Sequence, residues 1–203
     1  MTIDDIKLHL PPYLSVSAKN ALKTALQYFP VIASKRFYTN SLRDTQIIYQ
    51  GDGIKDLIAI DLPATETKIR PGLILSNTCD ISPDNKRPFQ SRMDYVPIVS
   101  LATYEAILKE SIDDVQKIDA HISSIRSQEI TQIFYLPEFE NTLPESIVFL
   151  DRIQNLPVGF VDRTKLTEQR LFTLSDAGHY LFLFKLSFHF TRMQDKVERG
   201  STE

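Results

Sequence analysis

Three short apolar segments follow one another between residues 54 and 101, and each is bounded by proline or by a polar loop. Their sequences are IKDLIAIDL (54–62), GLILSN (72–77) and DYVPIVSL (94–101). Apolar runs this short, placed between turn signals, predict β-strands that are buried on at least one face. A chain with three such strands in succession is expected to fold around a sheet.

Helical patterns surround and interrupt these strands. Residues 15–29 carry alanine and leucine at helical spacing and stop at Pro30. Residues 101–130 repeat apolar side chains every three or four positions, which predicts a helical insertion. After Ser175, acidic Asp176 comes first and basic residues come last, the charge order of a helix aligned with its own dipole, although the dense Phe and Leu content would equally suit a strand.

Shorter β-prone runs lie at 35–40, 45–50, 130–136 and 145–156, with a turn at 51–53. We therefore predict an α+β fold in a single domain. Its parts are a helical N-terminal extension (1–45), a sheet region with a helical insertion (46–174, insertion 101–130) and a C-terminal helix (175–203).

Composition narrows the class of protein. With 42% hydrophobic and 24% charged residues, the chain of 203 residues has the balance of a globular protein. The N-terminus lacks the pattern of a secretion signal, and the apolar run Tyr180–Leu186 is shorter than the roughly 20 residues that cross a bilayer. We expect a soluble, cytoplasmic protein without a membrane segment. The net charge of -3 gives no global attraction to nucleic acid, so binding would need a local basic patch.

The second apolar segment lies between Arg70 and a polar cluster that includes Thr78, Cys79 and Asp80. In the plainer interpretation the cluster is a turn stabilised by its own side chains, Cys79 packs as a small apolar group, and Arg70 pairs with a nearby carboxylate such as Glu66. In the functional interpretation, Thr78 and Asp80 join Arg70 in one site. Because six residues of strand span roughly 20 Å, that requires the chain to fold back.

The loop NKRPFQSR (85–92) contains the local basic cluster of the chain, formed by Lys86, Arg87 and Arg92 around Phe89. Cations that contact phosphates beside an aromatic ring that stacks on bases are typical of single-strand nucleic-acid binding. A solvated surface loop is the alternative.

Metal and cofactor signals are weak. Asp80, Asp84 and Asp94 offer oxygen ligands, but their spacing fits no ion-binding motif. His179 and His189 are ten residues apart, which suits packing or surface positions better than a metal pair. We expect neither metal nor cofactor.

The order of strands and loops resembles the MazF/PemK-like family. The matching pieces are DLIAIDLPATETKIRPGLILSN (56–77), YVPIVS (95–100) and IVFLDRIQNL (147–156) followed by TKL (164–166), within residues 51–174. The resemblance implies an SH3-like β-barrel, metal-independent cleavage of single-stranded RNA, and a protein partner such as an antitoxin or a defence-complex subunit. Similar barrels often form homodimers.

By the same resemblance, Arg70 is the arginine that stabilises charge on the phosphoryl oxygens. If RNA binds, Lys68 and Arg70 are candidate contacts in addition to the loop at 85–92. The family's catalytic hydroxyl ends the third strand, where this chain has Val99. Ser100 follows it, on the opposite strand face unless a bulge intervenes. Ser100, Thr78 and Asp80 are the candidate replacements. The alternatives are a non-catalytic interaction or regulatory subunit of a toxin-antitoxin or defence system, and a single-strand nucleic-acid binder.

Overall fold

One antiparallel sheet organises residues 37–191, the part of the chain that the computed structural model describes. Its strands are β1 Tyr38–Thr39, β2 Gly53–Asp61, β3 Glu66–Ile74, β4 Arg92–Ser100, β5 Ile133–Leu136, β6 Ser146–Phe149, β7 Gln154–Pro157 and β8 Arg170–Leu174. The α-helices of the same residues are α1 Leu101–Ser111, α2 Val115–Arg126, α3 Leu166–Gln169 and α4 Asp176–Thr191. The predicted α+β class is confirmed.

The sheet is open. The strands follow the order β1-β8-β2-β3-β4-β6-β5, and β7 pairs separately with β4. Strand β4 therefore has three neighbours. One side of β4 pairs with β3, and along the other its first half pairs with β7 and its last three residues pair with β6. The expected closed barrel is not formed by backbone pairing.

Strand β4 buries both of its faces, as its alternating pattern predicts. Val96 and Ile98 contribute to a core cluster, here called the α4 cluster, that also contains Leu181 and Phe182. Tyr95, on the opposite face, belongs to a second cluster, the β2–β4 cluster, with Ile54, Leu57, Ile74 and Met93. Helices α1 and α2 cover a third, the α1–α2 cluster, which contains Leu101, Ile118, Ile122, Ile125 and Ile147.

Side chains cross the gap between β2 and β7. Gln154 of β7 accepts a hydrogen bond from the Ile60 backbone N–H of β2 at 3.1 Å, and the Tyr95 hydroxyl donates to the Ile58 carbonyl. These side chains satisfy backbone groups on the free edge of β2 where no strand pairs with it. The β2, β3, β4 and β7 strands thus surround the β2–β4 cluster.

A buried ion pair fixes the segment before β2. Arg170 Nε donates to Asp52 Oδ2 at 3.1 Å, and the two side chains are 2% and 0% exposed. Thr173 Oγ1 also donates to Asp52, at 2.7 Å. The guanidinium also donates to backbone carbonyls in the preceding segment, those of Leu42, Arg43, Thr45 and Ile47.

Most predicted elements occur close to their expected positions. Residues 101–130 form α1 and α2, and α4 begins at Asp176 with the Ser175 hydroxyl accepting from the Gly178 N–H at 3.2 Å. The β-prone run at 45–50 forms no strand, and β8 was not predicted. The predicted helix at 15–29 lies outside the described residues. No helix within residues 37–191 is long and apolar enough to cross a membrane.

Candidate nucleic-acid interface

The predicted site residues lie at opposite ends of the β3–β4 pair. The two strands pair from Gly72 opposite Pro97 to Ile74 opposite Tyr95. Arg70 precedes this paired stretch and Thr78 follows it, so they lie at its two ends. Roughly 3.3 Å per strand residue separates Arg70 from Ser76 by about 20 Å. The chain does not fold back, so Arg70 at one end of β3 and the polar residues Thr78 and Asp80 beyond the other end do not form one site.

Arg70 is exposed and lies opposite Leu57 of β2. It shares a strand face with Gly72, which packs against Tyr95 and Leu57. Glu66, considered above as its partner, instead pairs with Lys68 at 3.1 Å. Within residues 37–191 the Arg70 guanidinium makes neither a hydrogen bond nor an ion pair, so all of its donors are available to a ligand.

Ser100 serves as the N-cap of α1. Its hydroxyl accepts a hydrogen bond from the Thr103 N–H at 3.1 Å and lies 2.7 Å from the Thr103 hydroxyl. The β4–β6 register is regular through Ser100, so no bulge turns its side chain toward the face of Val99. Val99 packs against the α1–α2 cluster on that face.

The polar cluster after β3 is a local structural element. Asn77 Oδ1 accepts from the Cys79 N–H at 2.9 Å, which is the turn predicted from sequence. Thr78 Oγ1 accepts from the Gln50 N–H at 3.0 Å and so ties the cluster to a distant segment. Asp80 forms an ion pair with Arg87. Cys79 is exposed, and the prediction that it packs inward is wrong.

The basic loop, defined by residues 82–91, directly precedes β4. Phe89 in this loop is 83% exposed. Arg87 is paired with Asp80, whereas Lys86 makes no side-chain bond among the described residues. Arg92, just after the loop, donates from Nη2 to the Asn155 carbonyl at 3.2 Å. Because Asn155 is neutral, the positive charge of Arg92 is retained.

A groove of about 630 Å³ separates this loop from residues 158–164. Its lining residues are Ile81, Ser82, Pro83, Asn85, Gln90, Ser91, Val158, Gly159, Val161, Asp162, Arg163 and Thr164. Arg163 joins the two walls, because its guanidinium donates to the Gln46 carbonyl at 3.1 Å and to the Ile81 carbonyl at 2.8 Å. Burial lowers the pKa of Arg163, and the charge of Asp84 opposes this effect.

Sequence reasoning missed the second wall of this groove. Residues 158–164 are some seventy positions from the basic loop, and the two meet only because β7 pairs with the start of β4, where Val158 N–H donates to the Ser91 carbonyl at 3.0 Å. In the sequence of this segment, Gly159 and Asp162 indicate only a turn. In the structure the Asp162 side chain accepts a hydrogen bond from the Thr164 N–H.

Among residues 37–191 no group of three or more histidine, cysteine, aspartate and glutamate side chains is arranged to hold a metal ion. Asp94 instead accepts a hydrogen bond from the Asn155 side-chain amide at 2.5 Å, and Asp80 pairs with Arg87. The comparisons add no relative: no protein-family model matches the chain, and no significant match is found among curated proteins.

Proposed function

We propose that this protein binds single-stranded RNA through the basic loop and the adjoining groove, without cleaving it. The observation that carries the proposal is the 83% exposure of Phe89 in a loop that also presents Lys86 and is followed by Arg92. A single exposed aromatic ring is common on protein surfaces, but an exposed ring set among cations is the arrangement by which single-stranded nucleic acids are bound. Its basic neighbours favour a ligand with negative charges.

The chemistry suits unpaired nucleotides. A base stacked on an aromatic side chain contributes about 1–3 kcal/mol and needs no particular sequence. Lys86 and Arg92 supply the charges that displace counterions from phosphates. The groove has apolar groups such as Val158 for a base or sugar to contact, and polar groups such as Gln90 and Asp162 for hydrogen bonds. A local patch of this kind can act despite the net charge of -3.

Binding without cleavage is favoured because the candidate catalytic hydroxyl groups are either absent or hydrogen-bonded within the fold. Val99 occupies the position where the MazF/PemK resemblance expects a catalytic hydroxyl. The Ser100 hydroxyl caps α1, and Thr78 bonds to the Gln50 N–H at the far end of β3. The Ser100 side chain lies on the strand face opposite that of Val99, and Thr78 lies at the other end of β3 from Arg70, so neither hydroxyl is placed as the resemblance expects to help a ribose 2′-hydroxyl attack phosphorus.

The MazF/PemK-like, SH3-like barrel is the architecture we propose for this RNA-binding region. It is supported by the β2–β4 cluster, which the β2, β3, β4 and β7 strands surround, and by the side-chain links from Gln154 and Tyr95 to the free edge of β2. In this proposal the side chains close a gap that backbone pairing leaves open.

A second candidate is the metal-independent endoribonuclease that the resemblance implies. The exposed Arg70 guanidinium favours it, because among the described residues nothing occupies its donors. Its planar fork fits two oxygens of a phosphate.

Both candidates can be tested with one labelled single-stranded RNA in buffer that contains EDTA. Binding is measured by fluorescence anisotropy, with Phe89→Ala and Lys86→Ala as test variants. The matched controls are Phe190→Ala and Lys117→Ala, which alter an exposed phenylalanine of α4 and an exposed lysine of α2. Loss of the stacking ring should weaken binding about tenfold or more, and loss of Lys86 should lower the salt slope by about one.

Intact RNA after incubation with the wild-type protein agrees with the leading proposal. Cleavage that persists in EDTA and disappears in Arg70→Ala, but not in Arg43→Ala, would establish the endoribonuclease instead. If the loop variants bind RNA as tightly as their matched controls, the basic loop is not the binding surface.

A further inference from the structure

Four side chains from α1, α2, the end of β6 and the turn after it lie in contact with one another, on elements other than the basic loop: Tyr104, His121, Phe149 and Arg152. We propose that they form a binding site for a phosphate group, in which Arg152 and Tyr104 contact the ligand. Phe149 and His121 hold those two side chains in position. The site is independent of the RNA-binding loop, because it lies beside the C-terminal half of β4 whereas the loop precedes its first residue.

Phe149 holds the two contacting groups together. The Arg152 guanidinium carbon lies 4.3 Å from the centroid of the Phe149 ring, and the Tyr104 ring meets Phe149 edge to face at 5.5 Å. Both groups contact one ring and so lie near each other. Burial raises the pKa of the Tyr104 hydroxyl, and the nearby charge of Arg152 lowers it, which agrees with that proximity.

Arg152 has its donors free. It is exposed, and within residues 37–191 its guanidinium makes no hydrogen bond and no ion pair, even with the adjacent Asp151. A guanidinium presents five N–H donors in a planar fork. Two of these N–H groups match two oxygens of a phosphate, a geometry that lysine does not provide.

His121 is hydrogen-bonded to the Tyr104 hydroxyl. Its Nε2 lies 3.1 Å from the hydroxyl oxygen, and the tautomer of His121 sets which of the two atoms donates. When Nε2 carries the proton and donates it to that oxygen, the Tyr104 O–H is free to donate to a phosphate oxygen. His121 is therefore a positioning residue. Tyr104 and Phe149 both pack on the α1–α2 cluster, so the donors are held in place before a ligand arrives.

The ligand is identified by this donor set as a phosphate. The guanidinium fork supplies charge and two parallel N–H groups, Tyr104 supplies a third donor, and no carboxylate of the described residues pairs with Arg152. The same chemistry is offered by free phosphate and by the 5′-phosphate of an RNA strand. The test separates these sources by using inorganic phosphate in one arm and a trinucleotide with or without a 5′-phosphate in the other.

Affinity is measured by calorimetry for the full chain and three variants. Arg152→Lys keeps the charge and loses the fork, Tyr104→Phe keeps the ring and loses the hydroxyl, and Arg43→Lys is a control in an exposed loop on another part of the sheet. We expect Arg152→Lys and Tyr104→Phe each to weaken phosphate binding about tenfold, as the loss of a hydrogen bond to a charged group does. Arg43→Lys should bind as the wild type does.

Far-UV circular dichroism melts show whether each variant is folded, and the Phe89→Ala variant separates this site from the loop. Phosphate-dependent binding that survives in Phe89→Ala and is weakened by Arg152→Lys supports the site in either arm. Two results overturn it: wild-type protein that binds neither inorganic phosphate nor the 5′-phosphate with preference over the 5′-hydroxyl form, or binding that Arg152→Lys and Tyr104→Phe leave unchanged. Loss of RNA binding in Phe89→Ala bears only on the proposed function.

Discussion

Replacing Arg170 by methionine should be among the most destabilising single changes in this protein. Methionine keeps most of the side-chain volume but leaves Asp52, whose side chain is 0% exposed, without its cationic partner. Removing one member of a buried ion pair costs about 3–5 kcal/mol, because an uncompensated charge remains in a medium of low dielectric. The segment that contains Leu42 and Ile47 also loses the donor that holds its carbonyls.

The pH dependence of the free energy of unfolding provides a second test of this ion pair. Burial raises the pKa of Asp52, and the charge of Arg170 is the largest opposing effect. An acid whose pKa is raised on folding stabilises the fold below its unfolded pKa of about 3.9, and this stability is lost as the pH rises through the folded pKa. Without Arg170 the pKa of Asp52 should rise further. The deficit of Arg170→Met should therefore be larger at pH 8 than at pH 5.

The assay is urea unfolding followed by far-UV circular dichroism, since the chain has no tryptophan to report by fluorescence. Arg43→Met, at an exposed arginine, should change the free energy of unfolding by less than about 0.5 kcal/mol. Thr173→Val, which loses one hydrogen bond to Asp52, should cost about 1.5–3 kcal/mol. A deficit below about 1 kcal/mol for Arg170→Met, or one equal at both pH values, would refute this account of the ion pair.

Two further predictions concern α4 and β3. Burial lowers the pKa of Lys185 to about 8, below its unfolded value, so the unfolded state binds more protons between about pH 8 and pH 10.4 and stability should rise with pH across that window. Urea titrations should show that Lys185→Met lacks this rise, and an equal rise in both proteins would contradict the assignment. A Cβ at Gly72 would lie 2.6 Å from Tyr95 Cδ2, so Gly72→Ala should cost about 1–3 kcal/mol. Gly159→Ala, with nothing within 4 Å of its Cβ, is the matched control, and equal melting temperatures for the two variants would argue against the steric clash.

The sequence predicted the helices and strands whose apolar periodicity or capping residues are regular over a few neighbouring positions. Strands β2 to β4 were recognisable because their apolar residues are continuous or alternating, and the start of α4 because Ser175 and Asp176 occur in the order of a helix N-terminus. Strand β8 was missed since Arg170 and Thr173 interrupt its apolar pattern. Their polar groups are buried only because Asp52, more than a hundred residues away, satisfies them.

For the candidate sites, sequence supplied residue types but not their neighbours. The basic loop was found because its cations and Phe89 are contiguous. The 158–164 wall of the groove and the cluster around Arg152 were not, because each combines segments that only strand pairing or helix packing brings together. No spacing rule connects Tyr104, His121 and Phe149.

The sequence by itself therefore determined the fold class, the helical insertion and the presence of a basic aromatic loop, because periodicity and charge order act over a few residues. Tertiary structure decided which polar groups are free to bind. Ser100 and Thr78 have hydroxyls suited to catalysis, yet one caps α1 and the other holds Gln50. Arg70 and Arg152 remain unpaired among the described residues. Contacts between distant segments determine whether a polar side chain is hydrogen-bonded within the fold or is available to a ligand, and a local sequence pattern does not contain those contacts.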